Sequence, residues 1–205
     1  MSQKHHWEKV YSRKLNEKLG WYKLHLQTSL TWIKELNLGL DAPIIDVGGG
    51  ASTLANDLLD ANYRSITVLD ISEKALSSNK ARLGKKAELI TWLNGDITLV
   101  DLLTHQYALW HDRAAFHFLT GLDQQRKYRD KLLKALQPDG HLIIGVFALE
   151  APPKCSGLLV QRYSQNQLSN TFGEEFELVR YQKEQHITPS GVEQMYLYCH
   201  FHRMD

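Results

Sequence analysis

Successive apolar runs in the first half of this 205-residue chain end on aspartates. Ile44 to Val47, inside "PIIDVGGGAS", carries Asp46; "SITVLDIS" (65–72) carries Asp70; "ELITWLNGD" (88–96) closes on Asp96. The segment between the first two, "STLANDLLDAN" (52–62), places Leu54, Leu58 and Leu59 on one helical face, with Asn62 closing the helix, and "EKALSSNKARLGKKA" is the next helix. Strands alternating with helices predict a parallel sheet covered on both faces. Right-handed crossovers then gather the C-terminal strand tips on one edge, where doubly wound sheets bind ligands. A single strand-end aspartate is an ordinary turn former. Three after successive strands put three carboxylates on one rim.

The later segments complete the sheet. "YALWHDR" is a fourth strand, and "DQQRKYRDKLLKALQ" (123–137) is a helix stopped by Pro138-Asp139-Gly140. "HLIIGVFAL" (141–149) is the most apolar strand, and a short helix lies near 164–172. "FELVRYQKEQHI" and "VEQMYLYCHFHR", around "TPSG", alternate as an antiparallel hairpin does. At the other end, Trp7, Val10 and Tyr11 share a helical face, and Leu26, Leu30, Ile33 and Leu36 repeat at helical spacing. The expected fold class is α/β: a doubly wound, mostly parallel seven-stranded sheet with an antiparallel C-terminal hairpin and helices on both faces. One domain is expected over 1–205, with a helical cap at 1–38, a ligand-binding core at 43–150, and a substrate-side loop plus hairpin at 151–205.

Composition excludes several classes. A net charge of +1 steers the chain to neither nucleic acid nor an anionic membrane. Apolar runs such as "LIIGVFAL" are too short to span a bilayer, and the polar start has no signal core. Two cysteines, Cys155 and Cys199, make no disulfide framework, so a reducing cytoplasm is expected. No metal is expected: His200 and His202 share a strand face without further ligands in sequence. The run Arg126, Lys127, Arg129, Lys131, Lys134 reads as a solvated helix face opposite Tyr128, Leu132 and Leu136.

The glycine loop narrows the ligand. A phosphate-binding P-loop needs Lys then Ser or Thr after its last glycine, and Ala51-Ser52 follow Gly50. A dinucleotide fingerprint needs a third glycine where Thr53 stands, and Asp46 places like charge beside a diphosphate. Asp46-Val47-Gly48-Gly49-Gly50-Ala51-Ser52 resembles instead the first motif, D/E-x-G-x-G-x-G, of class I (Rossmann-like) S-adenosylmethionine-dependent methyltransferases, with Ser52 replacing the last glycine. That cofactor carries a sulfonium and an ammonium group, which suit a nearby acid. Ser52 is expected to cap the following helix.

The resemblance implies a residue map. Asp46, Gly48, Gly49 and Gly50 would face the methionine part. Asp70, with Ile71 beside it, would hold the ribose hydroxyls, and Asp96 the adenine amino group, with the Ile97 N–H on the ring. The "HWEKVY" start followed by "WY" looks like the cap of small methyltransferases related to the citrate synthase and elongation factor lysine methyltransferases, which implies that Trp7, Tyr11 and Trp21 lie against the cofactor. Trp110 and His111 would reach it from the tip of the fourth strand. The product would be S-adenosylhomocysteine.

Methyl transfer is an in-line displacement, and a base is required only if the acceptor arrives protonated. His111 and Asp112 are the candidate catalytic pair. In a second reading Asp112 pairs with Arg113 to hold the loop and His111 merely lies over the cofactor. His117, on the apolar face "AAFHFL", reads as packed. "WHDR" lacks the Asp/Asn-Pro-Pro-aromatic run of nucleic acid base methylases. The acceptor class is a small molecule or a protein side chain, at nitrogen or oxygen, and Lys154, Cys155, Arg162 and Tyr163 are candidate contacts. Oligomeric state is open. Two other functions fit the same sequence: a nicotinamide-dependent oxidoreductase on the same sheet edge, and a binder of the methyl donor without catalysis.

Overall fold

In the computed structural model, which describes residues 2–13 and 16–204, the apolar runs form a seven-stranded sheet. Two helices come first, α1 (Gln3–Arg13) and α2 (Gln27–Glu35). Then β1 (Ile44–Val47), α3 (Leu54–Asp60), β2 (Ile66–Asp70), α4 (Glu73–Leu83) and β3 (Ile90–Asn94) alternate. They are followed by β4 (Tyr107–Arg113), α5 (Leu122–Ala135) and β5 (Leu136–Phe147). A small hairpin, β6 (Lys154–Cys155) and β7 (Leu158–Leu159), precedes α6 (Gln165–Phe172), β8 (Phe176–Ile187) and β9 (Glu193–Arg203). The main sheet has the order β3-β2-β1-β4-β5-β9-β8, with β1 to β5 parallel and β9 antiparallel to both β5 and β8. The expected fold class is the observed one. Strand order reverses between β1 and β4, which places the ligand crevice beyond their C-terminal ends.

The pleat sorts side chains onto two cores. Ile45, Val47, Trp110, Leu142 and Ile144 face α5 and α6 through Tyr128, Leu132, Leu168 and Phe172. Ile44, Val68, Leu109 and Ile143 face the other way, onto Ile33 of α2, Leu54 and Leu58 of α3 and Leu76 of α4. Strands β1 and β2 are therefore buried on both faces, which is why they read as continuous apolar runs. The edge strand β8 is mostly exposed and carries Arg180, Lys183 and Glu184, charges that discourage further pairing.

Several boundaries moved. α3 begins at Leu54, and the Ser52 hydroxyl accepts from the Leu54 N–H at 3.1 Å; Thr53 occupies the cap position, but its hydroxyl donates to the Lys23 carbonyl at 3.1 Å instead of capping the helix. Ser52 thus satisfies a helix-start donor, one turn position earlier than a standard cap. Asn62 follows α3 in a left-handed conformation, φ 69°. Leu136 belongs to β5 rather than to α5, and Pro138-Asp139-Gly140 bulge between the pairs Tyr107–Leu136 and Leu109–His141. The β6–β7 hairpin, two residues per strand, was too short to show a pattern. The expected cap over 1–38 includes residues 1, 14 and 15, which lie outside the described residues.

Candidate active site

The sharp turn after β1 is the floor of the site. Gly48 has φ +72°, a conformation that favours glycine, and an added Cβ there would meet the Ala115 side chain at 2.5 Å. At Gly50 an added Cβ would stand 2.6 Å from both the Ala75 Cβ and the Asp70 Oδ2. The backbone is bare here because neighbouring elements already fill the side-chain space. Above the turn, the ends of β1, β2, β3 and β4 line one cavity of about 720 Å³, counting its open mouth.

Most of the sequence-predicted residues meet in this cavity. Gly48, Asp70, Ile71, Asp96, Ile97, Trp7, Tyr11 and Trp21 all line it. Asp70 is buried; its Oδ1 accepts from the Ser72 N–H at 2.8 Å and its Oδ2 from the Gly50 N–H at 2.9 Å. Burial pushes its carboxyl up to about 6, against the pull of those two bonds. A carboxylate has about four acceptor positions, so two backbone bonds leave room for two hydroxyls. Both local bonds to Asp96, from the Thr98 N–H at 2.9 Å and the Thr98 hydroxyl at 2.7 Å, fall on Oδ1. Asp46 and Gly49 line a smaller adjoining cavity with Gly48, Ser52 and Thr53.

Helix α1 forms the roof. Trp7 packs edge-on to Trp21 at 5.5 Å and to Phe118 at 4.9 Å, and Tyr11 meets Trp21 at 5.9 Å. The Glu8 carboxylate accepts from the Glu73 N–H at 2.7 Å, at the N-terminus of α4, where a negative charge is favoured. The Gln3 amide donates to the Phe118 carbonyl at 3.1 Å. These bonds clip the roof to elements on both sides of the cavity.

The tip of β4 departs from expectation. Trp110 is fully buried in the core and donates to the Tyr128 hydroxyl at 2.8 Å, away from the cavity. His111 is fully buried, with Nδ1 bonded to Asp46 Oδ1 at 2.7 Å and Nε2 to the Ser29 hydroxyl at 2.9 Å. Asp112 accepts from the Ala115 and Phe116 N–H groups, each at 3.1 Å, and from the Tyr128 hydroxyl at 2.9 Å. The expected catalytic pair therefore holds structure: every hydrogen-bonding atom of His111 is engaged, and Asp112 ties the turn after β4. Asp112 and Arg113 do not pair either, since consecutive strand residues face opposite sides of the sheet. His117 is packed as expected, accepting from the Phe147 N–H at 3.2 Å.

Arg113, Ala114, Ala115, Phe118, Leu119, Gly95, Gln3 and Cys155 also line the cavity without having been singled out as cofactor contacts. Arg113 and Cys155 had only loop-holding and acceptor-side readings. Of the four acceptor candidates, Cys155 reaches the cavity; Arg162 instead donates to the Leu149 and Ala151 carbonyls at 2.9 and 3.0 Å, and Tyr163 stacks on Phe116. Burial pushes the Cys155 thiol up to about 11. Among the described residues no group of three or more His, Cys, Asp or Glu is placed to hold a metal, and no helix is long and apolar enough to cross a membrane.

Residues 44–140 match the family model described as a methyltransferase domain. Over these residues the chain is similar to a methyltransferase domain. A mouse (Mus musculus) relative, the eEF1A lysine and N-terminal methyltransferase, is 26% identical over 96 residues, covering 47% of this chain and 14% of its own. The chain thus spans about a seventh of that relative's length. The structure described for conversion of a disulfide bond into a thioacetal group during echinomycin biosynthesis superposes with a TM-score of 0.80 at 16% identity, covering 99% of this chain and 94% of that one. The Burkholderia thailandensis 1,6-didemethyltoxoflavin N1-methyltransferase, solved with 1,6-didemethyltoxoflavin and S-adenosylhomocysteine, gives a TM-score of 0.67 at 18% identity, covering 98% and 84%.

Proposed function

We propose that this protein transfers a methyl group from S-adenosylmethionine to a nitrogen or oxygen acceptor on a small molecule or protein side chain. The observation that carries the reading is the meeting of the glycine turn, Asp70 and Asp96 in one roofed cavity. When bound, the cofactor supplies an electrophilic methyl group on a cationic sulfur. Asp70 accepts from the ribose hydroxyls, Asp96 from the adenine amino group, and the bare turn lets the backbone approach the methionine part. Trp7, Tyr11 and Trp21 exclude water and add apolar area, which restricts the acceptor to an aligned approach.

Among the described residues of the cavity wall, no group outside those assigned to the cofactor is free to act as a base near neutral pH. His111 and Asp112 are committed elsewhere, Cys155 is held protonated, and burial drives the Tyr11 hydroxyl well above its ordinary value. Asp70, near 6, belongs to the ribose. The acceptor therefore presents a lone pair of its own and gives up its proton after transfer. Two buried free cysteines suit a cytoplasmic location, and the near-neutral net charge gives no support to a nucleic acid acceptor.

Calorimetric titration with S-adenosylhomocysteine, followed by detection of that product with candidate amines and hydroxyl compounds, tests the reading. Tight binding is expected. Absence of binding, with stabilisation by NADH instead, would overturn it in favour of an oxidoreductase. Binding without turnover across the acceptor panel would favour a non-catalytic binder.

A further inference from the structure

Helix α1 divides its side chains among three faces. Gln3, Trp7 and Tyr11 line the main cavity, while Glu8 and Ser12 are bonded to α4 through the Glu73 N–H and the Lys74 ammonium. His6, Lys9 and Arg13, spaced i, i+3 and i+7, line a second cavity of about 890 Å³, counting its open mouth. Its other walls include Trp21 and, from the turn between β6 and β7, Ser156 and Gly157. No aspartate or glutamate is among the described residues that line it.

The charge on this wall is unbalanced. Elsewhere on the surface Lys86, Arg126, Lys134 and Lys183 each meet an acid. Among the described residues Lys9 and Arg13 meet none. Like charges four residues apart destabilise a helix. Arg13 lies in the last turn, where the helix dipole favours a cation, but Lys9 has no such compensation. An unpaired cation on an open, convex surface is ordinary. These two share a concave wall with His6, and a cleft lined by one sign of charge focuses its field on whatever enters.

The groove also borders the site of the chemistry. Trp21 lines both cavities, and the consecutive residues Cys155 and Ser156 line one each, so Trp21 and the β6–β7 hairpin are shared walls. We propose that the groove holds the anionic group of the methyl acceptor, a small molecule that carries a carboxylate or a phosphate and presents its nucleophilic atom to the main cavity past Trp21. The assignment rests on the methyl-transfer reading above. A cavity of this size suits a small molecule. Arg13 offers a planar fork of donors to either oxyanion, and Lys9 adds a point charge. Neither residue lines the main cavity, so the cofactor needs neither.

The test uses the whole protein loaded with S-adenosylhomocysteine and the double variant Lys9→Gln/Arg13→Gln, which alters two exposed side chains and leaves the core intact. Calorimetry compares matched probes that differ in one group: 4-aminobenzoate with 4-aminobenzamide, and 4-aminophenyl phosphate with 4-aminophenol. The wild type should bind the anionic member of at least one pair about tenfold or more tightly than the neutral member. The double variant should lose that preference and keep the wild-type affinity for S-adenosylhomocysteine. Preference in the first pair alone identifies the group as a carboxylate, and in the second alone as a phosphate. No preference in either pair, or a preference that survives the double substitution, would overturn the proposal. So would an acidic peptide that binds where the small acids do not, which would give the groove to a protein partner. Failure of the wild type to bind S-adenosylhomocysteine would overturn the methyl-transfer reading instead. The ligand-free protein would then show, with the same probes and variant, whether the groove takes anions for another purpose.

Discussion

Asp70 is the residue on which the cofactor reading turns. On the proposed reading, replacing it with alanine removes the acceptor for both ribose hydroxyls and weakens S-adenosylhomocysteine binding by about 1.5–3 kcal/mol, measured by calorimetry. Its titration adds a second expectation. Ligand hydroxyls donate to the charged form, so protonation competes with binding. Affinity should hold above pH 6 and fall as pH drops below that value, because the carboxyl is raised to about 6. Asp112 titrates in the same range for the same reason, burial, but touches only backbone and Tyr128. Since its folded value is raised from 3.8 to about 6, its contribution to stability is greatest below 3.8 and is lost as pH rises through 6. Asp112→Asn should therefore flatten the pH dependence of melting between those values and leave cofactor affinity unchanged. A fall in affinity equal to that of Asp70→Ala would contradict its structural role. His111→Ala strips the partner from the buried Asp46 Oδ1 and should cost about 1–3 kcal/mol of stability in denaturant titration.

At the scale of the element, α1 is the roof and its attachment is local. It is joined to the α4 N-terminus through Glu8 and to Phe118 through Gln3 and Trp7. Trp7→Ala removes the ring that bridges Trp21 and Phe118. The change should weaken S-adenosylhomocysteine binding while the far-ultraviolet circular dichroism of the sheet core persists. Unaltered affinity would show that the roof takes no part in binding. The element scale also explains which parts of the sequence were legible. Strands β1 and β2, each ending near an acid, are legible in the residues alone, because a strand buried on both faces leaves a continuous apolar run. The terminal hairpin was legible from its alternation. The β6–β7 hairpin was not, since two residues per strand carry no period, and yet it delivers Cys155 to the cavity.

For the whole molecule, ligand binding and stability are linked. At a hundredfold excess over its dissociation constant, S-adenosylhomocysteine should stabilise the folded state by about 2.7 kcal/mol. For a chain of this size that is a rise in melting temperature of roughly 5–10 °C. NADH at the same excess should produce no rise. A shift with NADH alone would transfer the protein to the oxidoreductase class.

The sequence by itself determined the alternation of strands and helices, the single rim of Asp46, Asp70 and Asp96, and the glycine turn. These are local consequences of periodicity, turn chemistry and burial on both faces. Resemblance to a known motif order led to the expectation that Asp70, Asp96 and the aromatic roof surround one ligand, and the structure brings these residues to one cavity. Only the tertiary structure decided what each side chain at the tip of β4 does. The run "WHDR" contains four candidates, and the pleat sends them alternately to opposite faces. Which face meets the cavity depends on the register of β4 against β1 and β5, a long-range pairing that no local pattern encodes. That register buried Trp110, His111 and Asp112 in hydrogen-bonded structure and left Arg113 at the cavity wall, held by the Tyr198 hydroxyl and the Trp21 carbonyl from distant parts of the chain.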